Sequence, residues 1–324
     1  MSTTGTATGS AARALLPKDY VETAEGLYFA VVLPAPAGQP VHCSLRYIRP
    51  PGAAPQKLDT VQARDLLHTR HPRYLAYSDR IGAEAVLVPP RAVAKVHRPG
   101  EALAALEQSA GDDGIEGTAL RVIAHLTRNH VDRSTLGITG SLMLGFQRPG
   151  SDIDIVVYDG EAFTLARRAV REALEDGEFT PLDAATWRSA YERRGCALDF
   201  DAYVKHEMRK FNKFTLDGTK VDISWVPLAY RDEFRPPVQK LGASTITAVV
   251  VDDTRAFAYP ARYVIDDDAV EQILCYTATY TGQACAGETI EAAGMIERDA
   301  GGRRCMIIGT TREAPGEYIR VVGL

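Results

Sequence analysis

The sequence has no long apolar run, and none approaches the ~20 consecutive apolar residues that a membrane-spanning helix needs. Its start also has no apolar core of a secretory signal, because residues 1–17, MSTTGTATGSAARALLP, are mostly small and polar. We interpret residues 1–17 as a disordered tail. Together these absences predict a cytoplasmic protein that does not act on or in a membrane.

The chain has few cysteines, five in 324 residues, and no two of them form a Cys-x-x-Cys pair. Because zinc sites and disulfide frameworks use closely spaced or evenly paired cysteines, neither is predicted. Reduced thiols, as in a cytoplasm, are the expectation.

The sequence has no excess of positive charge, with 37 Lys and Arg against 42 Asp and Glu and a formal net charge of −5. A global basic field that attracts nucleic acid is therefore excluded, and any contact with RNA or DNA must use a local basic patch. The remaining composition, 45% hydrophobic and 24% charged, is typical of a globular protein. At this length two or three domains are expected.

The most informative stretch is Leu136 to Asp159, LGITGSLMLGFQRPGSDIDIVVYD. Its pattern predicts a buried strand, a Gly-Ser turn, a short connection and a second strand. Glycine at 140 lets the backbone approach a phosphate closely. Successive backbone amides and the Ser141 hydroxyl can then hold phosphate oxygens. We predict that Gly140, Ser141 and Ser151, which directly precedes the acids of the second strand, bind a nucleotide.

Ten residues separate the Gly-Ser pair from Asp152, and Asp154 follows two positions later. Side chains two apart on a strand share a face, so these carboxylates project together while Ile153, Ile155 and Val157 enter the core. Paired carboxylates beside a phosphate cradle are hard oxygen ligands, suited to Mg²⁺ or Mn²⁺. Acids in an otherwise apolar strand are costly unless something binds them, which argues against a merely hydrated loop.

This stretch resembles the signature of the DNA polymerase beta-like nucleotidyltransferase superfamily, in which a Gly-Ser turn precedes a strand with paired aspartates. The resemblance implies a third carboxylate on a neighbouring strand. Asp222 is the best candidate, because Val221, Ile223 and Trp225 alternate with it as the inward residues of a strand. The catalytic and metal-binding set implied is Asp152, Asp154 and Asp222.

A second Asp-x-Asp pair, Asp199 and Asp201, has no Gly-Ser turn at the matching distance upstream. Because a helical pattern follows it, we interpret Asp201 as a helix N-cap. Asp199 stays as the reserve candidate for the third carboxylate.

A basic stripe is predicted on the helix from residue 202 to residue 212, opposite its apolar side. Its members are Lys205, Arg209 and Lys213, with His206 and Lys210 beside them. Such a stripe either neutralises a triphosphate or guides a nucleic-acid backbone, or it is an ordinary hydrated face. We include Lys205, Arg209 and Lys213 in the predicted nucleotide-binding set.

The domain organisation predicted is α+β. Residues 18–99 form a β-rich domain, residues 100–235 form a polymerase-beta-type nucleotidyltransferase domain with a mixed sheet and helices, and residues 242–324 form a small β-barrel-like domain. Residues 231–242, with a Pro-Pro pair, are predicted to be a linker. The layout resembles a poorly characterised group of stand-alone polymerase-beta-like proteins with β-rich flanking domains.

The expected function is metal-dependent transfer of a nucleoside monophosphate from a nucleoside triphosphate such as ATP, with release of pyrophosphate. We favour a nucleic-acid 3′ end as the acceptor, because it fits the basic stripe and the small barrel, in which Tyr276, Tyr280 and Tyr318 either stack on bases or belong to the core. A small-molecule or protein hydroxyl fits the acidic net charge. A catalytically silent nucleotide-binding module is the alternative from another class.

Overall fold

A computed structural model of the chain describes residues 13–80, 83–109, 111, 113–228, 239–309 and 314–324. The protein is mixed α+β, as predicted. None of the helices within these ranges is both long and apolar enough to cross a membrane. The chain divides into two compact units, Met1–Ala76 with Glu84–Val96 and Tyr77–Ala83 with His97–Leu324.

The first unit is built on a seven-stranded sheet with one α-helix. Its elements are β1 (Tyr20–Thr23), β2 (Leu27–Val31), β3 (Val41–Ile48), β4 (Gln56–Lys57), α1 (Thr60–Arg70), β5 (Leu75–Ser78), β6 (Ala83–Val88) and β7 (Val93–His97). The strand order is β5-β6-β3-β2-β1-β7, and β4 pairs with β3. Strict alternation of buried and half-buried side chains along β3 shows that one face of this sheet lies on the core.

Packed structure begins before the predicted end of the tail at residue 17. Leu15 and Ala35 exchange two backbone hydrogen bonds of 2.9 and 3.0 Å, and Leu16 is buried. The ordered part of the chain therefore includes residues that we assigned to the tail, because two apolar side chains find partners in the first sheet. Residues 1–12 lie outside the described ranges.

The second unit begins with a four-stranded sheet covered by helices. Its elements are α2 (Pro99–Ser109), α3 (Gly114–Arg128), β8 (Leu136–Thr139), α4 (Gly140–Leu144), β9 (Ile153–Val157), α5 (Gly160–Glu175), α6 (Ala184–Arg194), α7 (Phe200–Met208), β10 (Lys213–Leu216) and β11 (Thr219–Trp225). The strand order is β10-β11-β9-β8, with β11 and β9 parallel and the outer pairs antiparallel.

Amphipathic helices bury this sheet. On α3 the residues Val122 and Leu126 are fully buried, and on α5 Ala166 and Val170 are fully buried, at the spacing of one helix face. Asp159 starts α5 by accepting a hydrogen bond from the backbone N–H of residue 162, as an N-cap does. The apolar residues of β9 meet these helices, so the acids that alternate with them are directed to the opposite face.

The rest of the second unit is a ring of strands. Its elements are β12 (Gln239–Arg255), β13 (Ala261–Asp266), β14 (Gln272–Cys275), β15 (Thr289–Arg298), β16 (Arg304–Ile308) and β17 (Tyr318–Val321). The pairings run β12-β13-β14-β16-β15 and return from β15 to β12, so five strands close on themselves, with β17 added beside β15. This is the closure that a small barrel requires.

Part of the predicted linker is strand. Residues 231–238 lie outside the described ranges, but residues 239–242 form the start of β12, where Lys240 lies opposite Glu297. The pairing with β15 explains the difference, because a long-range ladder is not visible in the local composition of residues 231–242.

Within the second unit, the four-stranded sheet with its helices makes direct contacts with the ring of strands. The backbone N–H of Val321 donates to His206 Nε2 at 3.0 Å, and Lys210 Nζ donates to the Thr279 carbonyl at 3.0 Å. Thus the segments predicted as separate domains at 100–235 and 242–324 lie in one compact unit, and their common boundary is set by α7 and the residues after it.

Candidate functional site

Strand register places the predicted acids side by side. Asp154 lies opposite Asp222 across the parallel pair β9 and β11, and opposite Thr139 across the antiparallel pair β9 and β8. Asp152 directly precedes β9 and shares the face of Asp154 by strand alternation. All three carboxylates are half-buried. The arrangement predicted for Asp152, Asp154 and Asp222 is therefore present on one face of the sheet.

The Gly-Ser bend lies against these acids. Gly140 has φ of +72°, and a Cβ added to it would lie 2.6 Å from Asp154 Oδ2. Only glycine fits a position that combines left-handed backbone with such a close approach. Ser141 follows in the first turn of α4 and is half-buried. The structure thus brings Gly140 beside Asp154, and Ser141 is the next residue of α4.

We expect Gly140→Ala to destabilise the protein more than Gly145→Ala. Both glycines have positive φ, so both substitutions carry the same backbone strain of about 1–2 kcal/mol. Only at position 140 does the new methyl group collide with a side chain, that of Asp154, which adds about 1–3 kcal/mol. Urea denaturation followed by tryptophan fluorescence measures the difference. Equal losses for the two variants would contradict the close approach.

Lys220 was not identified from the sequence, and it lies at the centre of the site. Its ammonium contacts Asp152 Oδ2 at 3.2 Å and donates a hydrogen bond to Asp222 Oδ2. Burial would lower the pKa of Lys220, but the charges of Asp222, Asp152 and Asp154 outweigh burial and raise it. The sequence did contain a signal, since Lys220 is two residues before Asp222 on the same strand and so shares its face.

A second lysine, Lys213, lies on the other side of Asp222. It faces Asp222 directly across β10 and β11, and its Nζ is 3.9 Å from Asp222 Oδ1 and 2.7 Å from Glu207 Oε2. Burial would raise the pKa of Asp222, but the ammonium groups of Lys220 and Lys213 outweigh burial and lower it. Asp222 is therefore held as a carboxylate in a half-buried position.

Lys213 connects the acids to a buried charge cluster, which we define as Glu207, Lys210, Lys213 and Arg194. The side chains of Glu207 and Lys210 are each 1% exposed and pair at 2.6 Å. Burial would raise the pKa of Glu207, but Lys210, Lys213 and Arg194 hold it below its usual range. Burial lowers the pKa of Lys210 to about 8, against the opposing attraction of Glu207.

The predicted basic stripe is wrong. Helix α7 ends at residue 208 rather than 212, and Phe211 has φ of +51°, which a helix cannot contain. Lys205 is exposed on α7, Arg209 forms an ion pair with Glu288 of the ring, and Lys213 begins β10. Of these three residues only Lys213 lies beside the acids, because the end of α7 sends the following residues in different directions.

His206 and Lys210, expected beside the stripe, are buried in contacts with the ring of strands. The Ser151 hydroxyl is engaged in a local hydrogen bond. Its Oγ accepts a hydrogen bond of 2.9 Å from the backbone N–H of Arg148 and so shapes the turn that leads into Asp152.

The N-cap of α7 is Asp199, and not Asp201 as the sequence suggested. Asp199 is the N-cap of α7, since its side chain accepts from the backbone N–H of Ala202 at 2.8 Å, and Asp201 lies in the first helical turn. Because Asp222 rather than Asp199 pairs in register with Asp154, Asp222 is the carboxylate that joins the pair.

The tyrosines considered for base stacking differ in their surroundings. Tyr280 is buried and Tyr318 donates to Glu291 at 2.7 Å. Tyr276 is half-buried and packs edge-on against Tyr259. Tyr280 therefore belongs to the core, because its aromatic side chain packs among the buried residues of the ring of strands.

The donor chemistry of the site fits a divalent cation, since hard ions such as Mg²⁺ prefer carboxylate oxygens. Within the described ranges, no three or more His, Cys, Asp or Glu side chains already converge closely enough to hold a metal ion. The positive charge between Asp152 and Asp222 is instead the Lys220 ammonium. The carboxylates are thus of the type that binds a divalent cation, and the Lys220 ammonium occupies the position at which such a cation would neutralise them.

The fold and the site define a mixed α+β protein with an acidic cluster at a glycine-containing bend. The chain is 30% identical over 337 residues to the uncharacterized protein MJ1086 of the archaeon Methanocaldococcus jannaschii, and the match covers 94% of this chain and 98% of that protein. The chain therefore belongs to the same family as MJ1086. No protein-family model and no solved structure matches the chain.

Proposed function

We propose that the chain is a nucleotidyltransferase that moves a nucleoside monophosphate from a nucleoside triphosphate to an acceptor hydroxyl. We further propose that the sheet β10-β11-β9-β8 with its helices is a core of the DNA polymerase beta type. The observation that supports this most is the register of Asp154 with Asp222, beside Gly140, whose backbone has a positive φ and lies against the Asp154 carboxylate. Facing carboxylates on neighbouring strands favour a bound cation, and the divalent ion of a metal–nucleotide complex is a cation of this kind.

Asp152, Asp154 and Asp222 are the residues that would hold Mg²⁺ or Mn²⁺. The ion, when bound, neutralises phosphate charge and makes a hydroxyl more nucleophilic. The protein's own share is positioning: the backbone at Gly140 lies next to Asp154, and Ser141 follows it in the first turn of α4, where backbone amides and a hydroxyl can orient phosphate oxygens.

The acceptor is a separate part of the proposal. A nucleic-acid 3′ end was favoured by the basic stripe, which does not form because α7 ends at residue 208. Arg209 and Lys213 are instead engaged in ion pairs. The net charge of −5 favours a small-molecule or protein hydroxyl as the second candidate. Neither acceptor changes the roles of the three acids.

One assay tests the function and the acceptor together. Labelled nucleoside triphosphates are supplied with Mg²⁺ or Mn²⁺ and offered RNA, DNA, small-molecule pools and protein. We expect one pool to acquire label with release of pyrophosphate, and salt-sensitive labelling only if that pool is RNA or DNA. Nucleotide binding without pyrophosphate release across all pools would instead support the silent nucleotide-binding module.

A further inference from the structure

Lys220 lies between the acids of the site, and the proposed reaction gives its charged side chain no role. We propose that Lys220 is an internal counter-ion, which occupies the cation position between Asp152 and Asp222 in the free protein and moves to the nucleotide phosphates when the metal and nucleotide bind. This inference rests on the proposed function and adds a phosphate-binding residue and a coupling between two ligands.

The contacts identify Lys220 as the group that a metal must displace. Its ammonium bridges Asp152 and Asp222, with a distance of 3.2 Å to Asp152 Oδ2. Lys213, in contrast, contacts Glu207 at 2.7 Å and stays 3.9 Å from Asp222. An ion that takes the oxygens of Asp152 and Asp222 therefore competes with Lys220 and leaves the pair of Lys213 with Glu207 intact.

The side chain is able to move without the strand. Lys220 lies in β11, whose backbone is fixed by pairing with β9 and β10, but its ammonium is carried on a flexible four-carbon stem. Its side chain is 20% exposed, and that of Asp152 is 34% exposed, so the site opens to solvent on this side. Once the carboxylates are taken by a cation, nucleotide phosphates are the nearest new anionic partner for the ammonium.

The competition has a thermodynamic consequence. Because Lys220 and the metal bind the same carboxylates, removing the lysine charge strengthens metal binding to the nucleotide-free protein. Because the phosphates give the displaced Lys220 a new partner, the same change weakens nucleotide binding to the metal-loaded protein. Coupling free energies between sites commonly correspond to factors of about 5–150, and we expect about tenfold in each direction.

The test uses Lys220→Met and Lys220→Gln, with Lys57→Met, an exposed lysine of the first unit, as the matched control. Mn²⁺ binding to nucleotide-free protein is measured by electron paramagnetic resonance, and ATP binding is measured by calorimetry with saturating Mn²⁺. Circular dichroism checks that each variant is folded. We expect both Lys220 variants to bind Mn²⁺ about tenfold more tightly and ATP about tenfold more weakly than wild type, and Lys57→Met to match wild type.

A second measurement needs no variant. Reductive methylation of wild-type protein, followed by mass spectrometry, reports how accessible the Lys220 ammonium is. We expect faster methylation with saturating Mn²⁺, which displaces the ammonium, and slower methylation when ATP is added as well.

The outcomes separate the two proposals. Wild-type protein that binds neither Mn²⁺ nor ATP overturns the proposed function, and the role of Lys220 with it. Wild-type protein that binds both, with Mn²⁺ affinity unchanged in the folded Lys220 variants or methylation unaffected by Mn²⁺, overturns the role of Lys220 and leaves the nucleotidyltransferase standing.

Discussion

Asp154→Asn is expected to lower nucleotidyl transfer by about a thousandfold or more while the protein stays folded. Asp154 is central in the site, with Thr139 on one neighbouring strand and Asp222 on the other. The amide keeps the shape of the carboxylate but removes the charge that a metal requires. Losing a charge-stabilising contact worth several kcal/mol corresponds to at least about three powers of ten in rate.

The measurement is the rate of pyrophosphate release under single-turnover conditions, with the acceptor found in the labelling assay. The matched control is Asp201→Asn, which alters the second acid of the other Asp-x-Asp pair, an exposed residue in the first turn of α7. We expect the control to keep wild-type turnover. The folded state of Asp154→Asn is checked by circular dichroism, which should match that of wild type, because the amide keeps the shape of the carboxylate.

Turnover within a factor of ten of wild type in Asp154→Asn would contradict the catalytic role proposed for the three acids. Turnover lost equally in Asp201→Asn would show that the assay responds to general damage. The two results together decide whether chemistry depends on this carboxylate or on negative charge anywhere in the second unit.

The part of the site that the sequence predicts correctly is local. Asp152 and Asp154 share a face because alternation along a strand is a property of consecutive residues. Gly140 was predicted for the same reason, since a glycine that ends a buried strand indicates a turn or a close approach. Asp222 required one more step, the pairing of two predicted strands, and its alternating apolar neighbours were sufficient to find it.

The part that sequence reasoning missed depends on tertiary contacts. Lys210 was expected beside a basic stripe, but it is buried because it meets the carbonyl of Thr279, which lies 69 residues later in the chain. The end of α7 depends on the same packing, and no proline or glycine at its last residues signals it. A Lys-to-acid contact such as that of Lys220 could be found from spacing along β11, but its bridge to Asp152 depends on the register with β9.

The largest loss of stability is expected from Glu207→Gln. Glu207 is buried with Lys210 at 2.6 Å and Lys213 at 2.7 Å, and Arg194 lies 4.0 Å away. Removing its charge leaves the buried Lys210 ammonium without its anion and takes one anionic partner from Lys213. Breaking a buried ion pair by neutralising one partner costs about 3–5 kcal/mol.

Both tryptophans of the chain, Trp187 and Trp225, lie in the second unit, so their fluorescence during urea denaturation follows that unit alone. The control is Glu172→Gln, since Glu172 pairs with Arg168 one helical turn away on an exposed face of α5. An exposed pair of this kind contributes about 0.3–0.5 kcal/mol. We expect the loss for Glu207→Gln to exceed that of the control several-fold.

A double variant separates the charge from the packing. Glu207→Gln combined with Lys210→Met removes both members of the buried pair while keeping similar volumes, so much of the lost stability should return. A double variant less stable than Glu207→Gln alone would mean that Lys210 stabilises the protein mainly through its bond to Thr279 rather than through Glu207. Glu207→Gln as stable as the exposed control would mean that the buried charges rearrange around the amide. In that case the contacts that connect Asp222 through Lys213 to the ring of strands do not contribute to the free energy of unfolding.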